Sequence, residues 1–167
     1  MPLYFAYGAN MDVEGMAARC PNSKALGLAR LPRRRLAIMR EGWLTVVRDI
    51  GADAHGVLWD LALSDVAALD RFEDVSTRLY TKIVQPVLTA GGSRRALVYV
   101  GANSGPGKAD AEYIAGVLVT ARRWRLPAEG IAAYERLARE AGVKVEAPVS
   151  TPALPKVRPR LATPMER

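Results

Sequence analysis

Between residues 25 and 100 the chain is a succession of short apolar stretches separated by turn residues, with a single helical interruption. Ala25 to Leu31, Arg35 to Met39, Leu44 to Arg48 and Gly56 to Leu61 read as strands, punctuated by Pro32, Gly42 and Gly51-Ala52-Asp53. Tyr80 to Leu88 and Arg95 to Val100 add a hairpin through Ala90-Gly91-Gly92. With the aromatic run Leu3-Tyr4-Phe5-Ala6-Tyr7 in front, six or seven strands are expected. Strands in direct succession cannot build the alternating βαβ units of a parallel sheet. The pattern predicts an α+β domain with a mostly antiparallel sheet. Curling such a sheet toward a barrel would remove its open edges and leave a mouth for a ligand.

The helices lie around this run. Asp12 suits the N-cap of a helix that ends at Cys20-Pro21. Ser64 is the expected cap of a helix from Asp65 to about Asp74. After the loop Gly101 to Lys108, helices are expected from Ala109 to Thr120 and from Ala128 to Ala141, the last closed by Gly142. From Pro148 onward the texture changes: Pro148, Pro152, Pro155, Pro159 and Pro164 stand among Lys156, Arg158 and Arg160. That density of proline excludes helix and central strand. The expected organisation is one domain over 1–147 and a proline-rich basic tail over 148–167.

The net charge of +7 raises the question of nucleic acid. The basic residues are scattered, however, over Arg33-Arg34-Arg35, Arg94-Arg95, Arg122-Arg123-Arg125 and the tail. Solvated strand edges account for such a distribution, and it would attract phosphates only non-specifically. No specific nucleic-acid partner is predicted. No apolar run approaches the roughly 20 residues of a membrane span, and no basic stretch followed by an apolar one opens the chain. A cytoplasmic location is expected, with no membrane partner. One cysteine and one histidine exclude an intramolecular disulfide, a cysteine zinc site and a His-pair metal motif, so no metal is expected. Cys20 reads as structural, and His55 as a hydrogen-bonding residue at a strand entry.

Two segments could carry chemistry. Val66, Leu69 and Glu73 fall at i, i+3 and i+7 of the predicted helix and share one face. A carboxylate in line with Val and Leu would face the core, close to the negative end of the helix dipole. Both effects would raise its pKa toward a range useful for proton transfer. The bland alternative is that the helix stops before Glu73 and leaves it in solvent. Asp70 is a rival acid on nearly the same face, with a shorter reach. The second segment is the strand-to-helix junction Tyr7-Gly8-Ala9-Asn10. Its glycine permits a sharp turn, and free N–H groups ahead of a helix can hold an oxygen. The alternative there is a plain turn. Gly101 to Lys108 imitates a phosphate loop but fails: Pro106 stands where the second glycine belongs, and Ala109 replaces the magnesium-binding Ser or Thr.

Taken together, these residues resemble the γ-glutamylcyclotransferase-like (AIG2-like) family. Leu3-Tyr4-Phe5-Ala6-Tyr7-Gly8-Ala9-Asn10, Leu69-Asp70-Arg71-Phe72-Glu73 with Tyr80 soon after, Tyr113, and Gly56-Val57-Leu58-Trp59 carry the likeness, which spans about residues 3 to 140. The resemblance implies a small mixed, mostly antiparallel β-barrel with flanking helices. It further implies a cofactor-free reaction in which a small-molecule γ-glutamyl compound cyclises to 5-oxoproline and releases its amine. Glu73 takes the place of the family's acid/base. Tyr4, Phe5, Ala6, Tyr7, Gly8 and Ala9 take that of its oxygen-holding loop, with Asn10 pinning the turn at the substrate, Tyr113 that of its substrate-side tyrosine, and Tyr80 that of a tyrosine near the same pocket. Ala9 stands where the family usually has Ser, which removes a hydroxyl but no backbone N–H. A non-catalytic binding module on the same fold and, more remotely, a nucleic-acid binder remain open alternatives.

Overall fold

The computed structural model describes residues 1–146. The proline-rich tail expected over 148–167, and the domain limit at 147, lie outside the described residues. Five strands, fewer than expected, close into one barrel in the order β1-β3-β2-β4-β5. They are β1 (Leu3–Ala6), β2 (Lys24–Ile38), β3 (Leu44–Asp60), β4 (Tyr80–Thr89) and β5 (Gly92–Gly101). All neighbours run antiparallel except at the closure, where Tyr4 of β1 lies parallel beside Leu97 of β5. The architecture is the mixed barrel with flanking helices that the resemblance implies.

The strand count differs because four expected segments merge into the two long strands β2 and β3. Pro32 does not end β2. It sits at a register shift between Pro32 and Arg34, with Arg33 in the left-handed region at φ 59°. A bulge tolerates the missing proline N–H and bends the strand. A second shift lies between Ala25 and Gly27, and Gly27 has φ 125°. The two bulges bend a hairpin that would otherwise run as a flat ribbon, so it can wrap into the barrel wall.

Phe5, Leu31, Val46, Val57 and Val98 fill the interior and are almost completely buried. Side chains of this kind contribute roughly 1.5–3 kcal/mol each. Gly56 is required by closeness rather than by its dihedrals: a Cβ there would stand 2.1 Å from the Ala6 carbonyl oxygen. The register of β1 on β3 therefore depends on that missing methyl group.

The helices are α1 (Val13–Arg19), α2 (Val66–Phe72), α3 (Ala111–Arg123) and α4 (Ala128–Glu140). Asp12 caps α1, accepting from Gly15 N at 2.8 Å. Ser64 does not cap α2. A 3-10 turn over Leu63–Asp65 intervenes, and Asp65, the N-cap residue of α2, makes no side-chain cap. α2 also ends earlier than expected, at Phe72, because Asp74 takes a left-handed conformation (φ 48°) in which a helix cannot continue. α3 and α4 pack together, α3 against the turn after β1 and α4 against β3. The expected hydrogen bond of His55 is not formed. The backbone of Gly130 lies on its ring, where a Cβ would come within 2.7 Å of the His55 Cβ, and neither ring nitrogen has a hydrogen-bond partner among the described residues. Burial under α4 holds this imidazole below its ordinary pKa, against the pull of Glu129, whose Oε1 is 3.2 Å from Nε2.

Candidate active site

At the end of β1 the chain leaves the sheet through Tyr7 and Gly8 and enters a 3-10 turn over Ala9–Met11. Within it Met11 N donates to Gly8 O at 3.0 Å and Asp12 N to Ala9 O at 3.1 Å. The N–H groups of Ala9 and Asn10 come before the first donor of this ladder, where a helical turn offers no internal acceptor. The turn is anchored from outside the barrel. Trp124 Nε1 donates to Met11 O at 2.7 Å, and the Tyr134 hydroxyl lies 2.7 Å from Tyr7 O.

Asn10 reaches from this turn toward the end of α2. Its Nδ2 donates to Glu73 Oε1 at 2.8 Å and to the Tyr4 hydroxyl at 3.1 Å. Glu73 is the C-cap residue of α2 rather than a member of its helical face. The alternative weighed from the sequence was half right: the helix does end before Glu73, yet the carboxylate is partly buried and points inward. Burial raises its pKa to about 7, more than Arg19 and the Asn10 hydrogen bond lower it. Asp70 has another task. It accepts from the Tyr99 hydroxyl at 2.6 Å and from Lys82 Nζ at 2.8 Å, which hold its carboxyl low although burial works the other way.

Glu73 and the turn face one cavity of about 190 Å³. Of the residues expected from the sequence, Tyr4, Tyr7, Gly8, Ala9, Asn10, Glu73, Tyr80 and Tyr113 line it. Phe5 and Ala6 do not: both are buried, and the Phe5 ring packs at the crossing with Gly56. Tyr80 donates to Leu44 O at 2.6 Å and Tyr7 to Tyr99 O at 2.5 Å, so these two hydroxyls serve the wall. The Tyr113 hydroxyl accepts from Leu44 N at 3.3 Å, leaving its own hydrogen to point elsewhere, and burial pushes its pKa up to about 12. A Cβ on Gly8 would sit 3.6 Å from that oxygen, which places Tyr113 directly across the turn.

The sequence reasoning missed Trp43, Phe72 and Tyr99 in the lining. Trp43 stacks edge-on against Tyr113, with ring centroids 5.0 Å apart. Phe72 adjoins Glu73 in the chain and could have been suspected on that ground. Nothing local marks Trp43 or Tyr99, which barrel closure alone brings in. Among the described residues no group of three His, Cys, Asp or Glu side chains is placed to hold a metal ion, and no helix is long and apolar enough to cross a membrane.

Fold and site together define a small closed barrel with one acid-bearing, aromatic-walled cavity beside a backbone turn. The sequence matches the family model for gamma-glutamyl cyclotransferase, AIG2-like, over residues 4–126, and the chain belongs to that family. Gamma-glutamylcyclotransferase of Mus musculus is 32% identical over 100 residues, covering 54% of this chain and 53% of that protein. The Bos taurus protein of the same name is 31% identical over the same shares. The chain thus spans about half the length of the curated relatives it matches. A solved structure of a gamma-glutamyl cyclotransferase superposes with a TM-score of 0.72 at 25% identity, covering 81% of this chain and 85% of that one.

Proposed function

We propose that this chain is a cofactor-free cyclotransferase that converts a γ-glutamyl amino acid or γ-glutamylamine to 5-oxoproline and the free amine, with Glu73 as general acid and base. The observation that carries this reading is the Glu73 carboxyl, with a pKa near 7, held by Asn10 against the turn that has spare backbone donors. A group that titrates near neutrality can both take and return a proton at low cost, worth about 10²- to 10⁴-fold in rate.

The reaction closes a five-membered ring within one molecule. The ionised Glu73 takes a proton from the substrate's α-ammonium, and the freed nitrogen attacks the γ-carbonyl carbon. Charge builds on the carbonyl oxygen, which the N–H groups of Ala9 and Asn10 and the Tyr113 O–H are placed to receive. One such donor contributes on the order of 10²- to 10³-fold. The tetrahedral species collapses by breaking the bond to the departing amine. Glu73 gives its proton to that nitrogen and is ionised again, and the second proton of the ring nitrogen passes to the amine, which departs as an ammonium, so no net proton change falls on the protein. Walls of Tyr4, Tyr80 and Trp43 keep the glutamyl chain folded, which lowers the entropic part of the barrier. Ala9 in place of Ser leaves the backbone donors intact and removes one side-chain contact to the substrate.

The test is release of 5-oxoproline from a panel of γ-glutamyl dipeptides and γ-glutamylamines, by the parent and by Glu73→Gln. The parent rate should rise with pH through about 7 as Glu73 ionises. Glu73→Gln should lose at least about 100-fold while remaining folded. Turnover at the parent rate in that variant overturns the mechanism, and ligand-induced thermal stabilisation of the parent without product would identify a binding module instead.

A further inference from the structure

Arg19 stands in the last turn of α1, behind the cavity wall. Its Nη1 donates to Asn10 Oδ1 at 2.5 Å, and its guanidinium carbon lies 3.5 Å from the centre of the Phe72 ring. Asn10 is only 2% exposed, and its amide has two ends of nearly equal shape and opposite chemistry. With Nδ2 toward Glu73 the amide donates to the carboxylate. Turned over, Oδ1 would face the carboxylate, acceptor against acceptor. Packing cannot choose between two ends of the same size. A guanidinium can, because it carries donors only. Phe72 immediately precedes Glu73, so the ring that seats the guanidinium belongs to the same helix end that presents the carboxylate.

We infer that Arg19 is a positioning residue for the acid/base step: it locks the Asn10 amide with its NH₂ toward Glu73 and so orients that carboxylate through Asn10, its charge acting on the carboxyl as well, without touching the substrate. The inference rests on the reading of Glu73 given above. The other groups facing Glu73 are Asp74 next in the chain, Tyr4 and Tyr7 after it on the β1 side, Tyr80 of β4, Tyr99 of β5 and Tyr113 of α3. The tyrosines are held in their neutral form by burial, so Arg19 is the cation acting on the carboxyl among the described residues. Arg19 and Asn10 both lower the Glu73 pKa against the larger effect of burial. Releasing the lock removes both at once.

The experiment is a cycle of Arg19→Met, Asn10→Ala and the double variant, with Arg19→Lys as a conservative control. Two readouts are taken: the pH dependence of kcat/KM for 5-oxoproline release from γ-glutamylalanine, and the titration of the Glu73 carboxyl carbon by ¹³C NMR. Arg19→Met should move both midpoints upward by about one pH unit, an about tenfold loss of ionised Glu73 below the midpoint. Arg19→Lys should recover part of the shift, since one compact donor can still reach Oδ1. In the Asn10→Ala background the Arg19→Met shift should be clearly smaller, leaving only the part that the charge exerts directly. Unmoved midpoints in folded Arg19→Met overturn the inference, and so does an undiminished shift in the Asn10→Ala background, which would mean that the charge acts without the lock. Should Arg19→Met fail to fold, Arg19→Lys and Asn10→Ala read the same coupling at smaller size. The NMR titration needs no turnover. A Glu73→Gln protein that turns over normally therefore counts against the role of Glu73, while the carboxyl titration still decides the lock.

Discussion

Two carboxylates flank α2, Asp65 before its first residue and Glu73 after its last, and the fold treats them in opposite ways. Asp65 is 4% exposed. Its Oδ2 accepts from Asn22 N at 2.9 Å and from the Ser23 hydroxyl at 2.8 Å, and its Oδ1 accepts from Asn22 Nδ2 at 3.1 Å. Burial pushes this carboxyl upward, but the donors together outweigh it and the pKa is lowered. Glu73 is also desolvated but has one direct donor, the amide of Asn10, and its pKa rises to about 7. The helix ends add to the contrast, since the N-terminus favours negative charge and the C-terminus opposes it. Burial alone does not decide what a carboxyl does. The supply of donors around it makes Asp65 a strut and leaves Glu73 with a pKa near neutrality.

The widest gap between the two should appear in stability. Asp65→Ala strands the donors of Asn22 and Ser23, and urea unfolding should show a loss of about 3 kcal/mol. An unchanged midpoint would remove Asp65 from the role of strut. A smaller effect of opposite sign is expected at the other end of the helix. Because the folded pKa of Glu73 lies above the unfolded value of about 4.3, the folded state binds more protons between the two, and stability falls as pH rises from about 4.5 to 7. Glu73→Gln should abolish that decline and exceed the parent by roughly 1–3 kcal/mol above pH 7. Parallel stability curves for parent and variant would show that Glu73 is not strained by burial. Asp65, with its lowered pKa, should instead contribute stability that is lost as pH falls below the ordinary carboxylate range. The smallest effect belongs to Asp74, whose charge raises the Glu73 pKa slightly. Asparagine accepts the same left-handed backbone, so Asp74→Asn should lower the acid limb of the rate profile by on the order of 0.3 pH unit. An upward shift would mean that Asp74 acts on Glu73 by something other than its charge.

Much of this was legible along the chain, for local reasons. Asp12 caps α1 as its type and place suggest, and Gly142, at φ 86°, closes the end of α4. The turn at Gly8 was visible because a strand, a glycine and a cap residue follow one another within ten residues. The strand count was misjudged because Pro32 and Gly51 were weighed as breakers one at a time. In the folded protein, ladder bonds on both sides carry β2 and β3 through them, at the cost of a bulge. Glu73 illustrates a right conclusion reached by a wrong route. Helical periodicity predicted an inward carboxylate, but α2 stops one residue earlier, and the left-handed Asp74 beyond it forms part of the turn that leaves the side chain facing the cavity. Arg19, Trp43 and Tyr99 carry no local signal at all, because what matters about them is a neighbour 9 to 70 or more residues away in the chain.

By itself the sequence determined the barrel class and the chain turn at Gly8 and marked Glu73 as the candidate acid, since these depend on residue type and on spacing over a few positions. Tertiary structure decided which donors that acid receives, which aromatic rings wall it in, and that its neighbour Asp65 is held ionised instead. The physical reason is that a pKa and a cavity are properties of a shared environment, and only the closure of β1 beside β5 brings Asn10, Glu73 and Tyr113 into the same one.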